Sequence, residues 1–108
     1  MKLIEFECPA NEGGPKSGKA RSLTALDEVH SIKLLAADIS QKNVDASAML
    51  QFQVLVLLSV FEEDGQRVPP ATTIEEVFVR MQRYSRSSWS KVVEAFNKAN
   101  EDDNSPNE

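Results

Sequence analysis

The stretch ASAMLQFQVLVLLSVFEEDG, residues 46–65, decides how the chain reads. Met49, Phe52 and Val56 recur at helical spacing. From Val54 onward the apolar residues come nearly all round: Val54, Leu55, Val56, Leu57, Leu58, Val60 and Phe61. A helix that is apolar on every side is central and buried. Valine and phenylalanine also suit a strand, but the length of the run predicts a helix from Ala46 to about Glu62, capped by Asp45. Asp64-Gly65 then ends it, because glycine readily takes the left-handed conformation that follows a helix.

Three more helices read outward from this one. Thr24 is placed to cap the first, with Asp27 and Glu28 at the positive end of its dipole. Leu26, Val29, Ile32, Leu35, Ala36 and Ile39 form its apolar stripe, read as the inward face, and Ser40 to Asn43 is a polar break. After the extended Val68-Pro69-Pro70, Thr72 and Thr73 each precede a glutamate by three residues (Glu75 and Glu76), a capping box in two registers. Ile74, Val77, Phe78 and Met81 make the face of this third helix. Tyr84 to Ser87 is the next break, and Ser87 or Ser88 can cap a fourth helix with Trp89, Val92, Val93, Phe96 and Ala99 on one side. Glu94 and Lys98 stand one turn apart on its outside.

At the N-terminus, Ile4, Phe6 and Cys8 alternate with Glu5 and Glu7, the pattern of a short half-buried strand stopped by Pro9. A second strand near Ala20 to Leu23 could pair with it. Residues between them are rich in glycine and proline and read as a flexible loop. The expected fold class is therefore mainly α: a compact bundle of about four helices with a short N-terminal strand or hairpin. Residues 1–22 form the N-terminal strand and flexible loop, 23–100 the helical domain, and 101–108 a disordered acidic tail.

Composition excludes several functions. The formal charge is −5, and the last eight residues hold Glu101, Asp102, Asp103 and Glu108 with no base, which leaves the rest of the chain close to neutral. Such a balance does not favour binding along a phosphate backbone. A membrane span needs roughly 20 mostly apolar residues, and the longest uninterrupted apolar run here is Val54 to Leu58. Glu5 and Glu7 stand where a signal peptide would need its apolar core. With one cysteine, Cys8, and one histidine, His30, no intramolecular disulfide and no zinc site of the usual kind can form. A soluble protein of a reducing, cytoplasmic compartment follows as the expectation.

The search for catalytic chemistry returns little. His30 reads as a helix-boundary residue and Cys8 as a small buried hydrophobe. Gly13-Gly14-Pro15-Lys16-Ser17-Gly18-Lys19 lacks the spacing of a phosphate-binding loop. The acids Glu62-Glu63-Asp64 and Glu75-Glu76 lack the spacing of a calcium loop. No cofactor, metal or catalytic residue is expected, and no enzyme. Residues 72–98 allow a helix-turn-helix regulator, with Arg80, Arg83, Arg86 and Lys91 toward phosphates. Against it stand the near-neutral charge and Glu94 in the candidate recognition helix. A protein-binding surface remains, because the apolar area of residues 46–62 exceeds what so small a bundle needs.

The layout resembles that of tail assembly chaperones of long-tailed, lambda-like bacteriophages. The resemblance is carried by RSLTALDEVHSIKLLAADIS (21–40), by SVFEEDGQ ahead of a proline connector and TIEEVF, by WSKVVEAFNKAN (89–100), and by the short polar tail. It implies a non-catalytic protein of the bacterial host cytoplasm. Such chaperones coat the tail tape-measure protein, help recruit the tail tube protein, and self-associate along the client. A frameshift near the end of such genes often adds a second domain. The resemblance supplies no residue-level template. Phe52, Val56, Val60 and Phe78 are the apolar positions expected to cover stripes on the client.

Overall fold

The computed structural model describes residues 1–36 and 44–101, the side chains of 44–48 excepted. The first helix's end at Ile39, the break at Ser40–Asn43 and the tail beyond Glu101 lie outside the described residues, whereas Asp45, expected as a cap, falls inside a helix that already includes Val44. Within them the chain runs β1 (Leu3–Glu7), β2 (Ser17–Arg21), α1 (Ala25–Ala36), α2 (Val44–Ser59), β3 (Val60–Glu63), β4 (Gln66–Arg67), α3 (Ile74–Met81) and α4 (Arg86–Ala99). The strands form one antiparallel sheet in the order β1-β2-β3-β4. The expected mainly α bundle is thereby corrected. The helices are present, but they share the molecule with a four-stranded sheet, and the fold is α/β.

The error lies in residues 60–67. The helix stops at Ser59, whose hydroxyl turns back to donate to the Val56 carbonyl at 2.6 Å. The next residue, Val60, already pairs with Ala20 of β2. Asp64 and Gly65 both have positive φ, 52° and 82°. Two such residues in succession make the primed two-residue turn of a hairpin, not the end of a helix. Glu63 therefore faces Gln66 across the turn. The pairing of β2 with β3 slips between Lys19 and Ala20, leaving Phe61 as a bulge. Its ring lies 4.7 Å from the Arg67 guanidinium.

The N-terminal alternation does mark a strand. Phe6 and Cys8 are buried, Ile4 is half-buried, and Glu5 and Glu7 are exposed. Its partner begins earlier than the expected Ala20, with Glu7 facing Ser17 and Leu3 facing Arg21. Gly18 lies opposite Phe6. A methyl group there would sit 2.5 Å from the Phe6 ring and 2.2 Å from the Glu62 carbonyl oxygen, so the ring can pack only over a glycine. Residues 1–22 thus supply half of the sheet and carry Phe6, Cys8 and Ala20 into the core.

The loop between β1 and β2 is tied down by Asn11, which is buried. Its amide donates to the Pro15 carbonyl at 2.8 Å and the Arg83 carbonyl at 3.0 Å. Its oxygen accepts from the Ser85 amide at 2.8 Å. One side chain so joins the first loop to the α3–α4 turn. Helix α4 packs Val92 and Ala95 against β1 and β2, and α2 packs against α1, α3 and α4. Val54, Leu57 and Leu58 of α2 lie at the centre, as the apolar run requires.

Candidate protein-docking surface

The start of α1 is fixed by an ion pair. Arg21, at the end of β2, donates from both terminal nitrogens to Asp27, at 3.0 and 2.9 Å. The same carboxylate accepts from the Thr24 amide at 2.7 Å and the Thr24 hydroxyl at 3.2 Å. The acid thus reaches back to Thr24, the reverse of the cap read from the sequence. These bonds, those from Arg21 first, hold the Asp27 carboxyl at about 2, below its ordinary 3.8.

With its first turn pinned, α1 presents Ser31, Leu34 and Leu35 to the core. Ser31 donates to the Glu28 carbonyl at 2.7 Å and accepts from Gln51 of α2 at 3.2 Å. The stripe expected to face inward is mostly turned out. Leu26 is 75% exposed, Val29 46% and Ile32 55%, and Ala36 is also exposed. Of that stripe's described members only Leu35 is buried. The periodicity was legible, but a short helix with apolar residues on two sides does not declare which side is covered. Leu26, Val29 and Ile32 thus leave three adjacent large apolar side chains exposed on α1.

Along this face runs a groove of about 580 Å³, between Leu26, Val29, His30 and Lys33 on one side and Pro69, Pro70, Ala71 and Thr72 on the other. His30 spans its base, with Nε2 2.9 Å from the Ala71 carbonyl oxygen. That contact uses Nε2–H as donor, since the carbonyl oxygen can only accept. The wall of prolines is held from beneath by Arg80 of α3, which is buried and donates to the Pro69 carbonyl at 3.1 Å. The remaining Arg80 nitrogens, Nε and Nη2, have no protein partner among the described residues. The α3 start is set by Thr73, which accepts from the Glu76 amide at 3.1 Å. Glu76 returns to the Thr72 amide at 3.0 Å, so the structure selects the second of the two capping registers.

The four apolar positions singled out from the sequence separate. Val56 (0% exposed) and Val60 (4%) are core residues and offer nothing to a partner in this conformation. Phe78 is half-buried against the core. Phe52 is 38% exposed and meets the Phe96 ring edge-on, centroids 5.6 Å apart. Met49, one turn earlier on α2, is exposed as well. Sequence reasoning missed the Leu26–Val29–Ile32 face because it assigned the same residues to the core.

The other candidates resolve into structural roles. Glu63 is buried and accepts from the Tyr84 hydroxyl at 2.5 Å and from Arg83 at 3.0 Å. Burial, then the Glu63 hydrogen bond, pushes the Tyr84 hydroxyl far above its ordinary range. Burial likewise raises the Cys8 thiol, which disfavours the nucleophilic thiolate. Of the four cations offered for DNA, Arg80 is inside the protein and Arg83 is paired with Glu63, while Arg86 and Lys91 are exposed. Ser85 caps α4, accepting from the Ser88 amide at 3.2 Å, two or three residues earlier than the sequence suggested. Among the described residues no three acids, histidines or cysteines gather as a metal site, and no helix is long and apolar enough to cross a membrane. No family model, characterised protein or solved structure matches the chain.

Proposed function

We propose that this chain works by binding, not catalysis, and that its client is an apolar stripe on a helical partner. The exposure of Leu26, Val29 and Ile32 carries the reading. A helix laid along α1 would place its own apolar residues between Leu26 and Val29 and the Pro69–Pro70 wall, with Ile32 beside that groove on the same exposed side of α1. The resemblance of layout names the client class: a phage tail tape-measure protein, coated by several self-associating copies of this chain in the host cell before the tube subunits arrive. On that reading Phe52 and Met49 of α2 form a second apolar contact, toward the client or the neighbouring copy.

Co-expression with the longest helical tail protein of the same genome tests this, followed by size exclusion with light scattering. A complex of several copies per client is the expected result, lost on Leu26→Asp together with Ile32→Asp. A chain that stays monomeric beside that client, or a complex indifferent to the double substitution, refutes the reading.

A further inference from the structure

Strand β1 is an edge of the sheet, and its hydrogen-bonding alternation can be read from its flanks. The Ser22 amide donates to the Lys2 carbonyl and the Cys8 amide to the Lys16 carbonyl, at 2.9 and 2.8 Å. In the same register Ile4 pairs with Ala20 and Phe6 with Gly18. Even-numbered residues of β1 therefore bond to β2. Leu3, Glu5 and Glu7 turn their backbone N–H and C=O groups to the other side, where among the described residues no strand lies.

That open edge is not bare. A groove of about 200 Å³ follows it, walled on the far side by α4 through Lys91, Glu94, Ala95 and Lys98. Its floor is Ile4 and Phe6. Lys91 and Lys98 are exposed and make no ion pair among the described residues, while the exposed Glu94 between them leaves this wall with a net charge of one positive unit. On the opposite face of the strand stand the exposed carboxylates Glu5 and Glu7. An unpaired strand edge is a template for another strand, and here two lysines and one glutamate of α4 stand toward one face, while Glu5 and Glu7 stand on the other, with Lys19 opposite Glu5 held by Glu62.

We infer that β1 receives an extended peptide segment of a partner protein as a fifth strand, seated between β1 and α4. Backbone bonds to Leu3, Glu5 and Glu7 hold it. Alternation of its side chains fits it to the two faces: apolar or acidic residues toward Ile4, Ala95, Lys91 and Lys98, and basic residues beside Glu5 and Glu7. The same charges argue against a second copy of this chain. Two β1 strands paired antiparallel about their centres would set Glu5 against Glu5, and like charges directly opposite are unfavourable. This edge is separate from the α1 groove, and the inference does not depend on the client proposed for that groove.

The probe is a pair of synthetic eight-residue peptides that differ only in charge. One alternates lysine on one face with valine and glutamate on the other; the second exchanges lysine and glutamate. Titration is followed by amide hydrogen exchange of the full chain. The first peptide is expected to bind roughly tenfold tighter than the second. It should protect the amides of Leu3, Glu5 and Glu7, while those of Ile4 and Phe6 are protected already. Glu5→Pro removes an outward amide without touching the ladder to β2, so it should abolish binding and leave the circular dichroism unchanged. Should that variant unfold, an N-methyl group on the peptide's central residues makes the same cut from the other side. The inference is overturned if neither peptide binds, if both bind equally, if those three amides stay unprotected, or if the free chain dimerises through β1.

Discussion

Replacing Asp27 by Asn should destabilise the protein by an amount that shrinks as the pH falls below 5. The carboxyl sits at about 2 in the folded chain against 3.8 ordinarily. Nearly two pH units at about 1.4 kcal/mol each gives roughly 2.5 kcal/mol of stabilisation at neutral pH. The side chains of Arg21 and Asp27 are each 17% exposed, so solvent screens the pair only in part. Because the folded value lies below the unfolded one, the stabilisation is complete above about 4 and falls away as pH drops toward 2. Urea titrations of both proteins at pH 7, 5, 4, 3 and 2.5 measure it. The expected gap is about 2 kcal/mol at pH 7 and closes on acidification. A gap that is the same at every pH, or absent at pH 7, would refute the account of how α1 is anchored. The anchor matters to function: a frayed first turn no longer displays Leu26 and Val29, so Asp27→Asn should also weaken client binding.

Other substitutions separate core from surface. Val56→Ala should cost about 2 kcal/mol in chemical denaturation, because the side chain is wholly buried, whereas Leu26→Asp should change stability by about 0.5 kcal/mol or less and act on binding alone. Tyr84→Phe removes one of two side-chain donors to the buried Glu63 carboxylate, and a loss of about 1–3 kcal/mol in unfolding free energy by urea titration is expected. Gly65→Val puts a branched side chain at φ 82° in the hairpin turn, and a destabilisation of about 1–3 kcal/mol by urea titration is expected.

The helices were legible because each carries its own spacing and punctuation. Thr73 with Glu76 announced α3, and the Ile4–Phe6–Cys8 alternation announced β1. The sheet was not legible in full, since β3 continues an apolar run that began as helix. Local preference does not place the change at Ser59; pairing with β2 does. Asp64-Gly65 was the available signal, for the dipeptide fits a hairpin at least as well as a helix end. The candidate docking surface was half legible. The spacing of Leu26, Val29 and Ile32 was plain, but their outward direction depends on Arg21, Ser31 and Ala71, which are distant in sequence or silent in periodicity.

The two ends of the described chain close on neighbouring residues. Lys2 exchanges bonds with Ser22, and the Asn100 side chain accepts from the Leu23 amide at 2.7 Å while donating to the Arg21 carbonyl at 3.3 Å. The polypeptide therefore approximates a ring sealed at the β2–α1 corner. A circular permutant with a brief linker across that seam, opened at the exposed tip of the β3–β4 hairpin, should keep the native packing, and the whole unit is suited to grafting into a loop of a host protein.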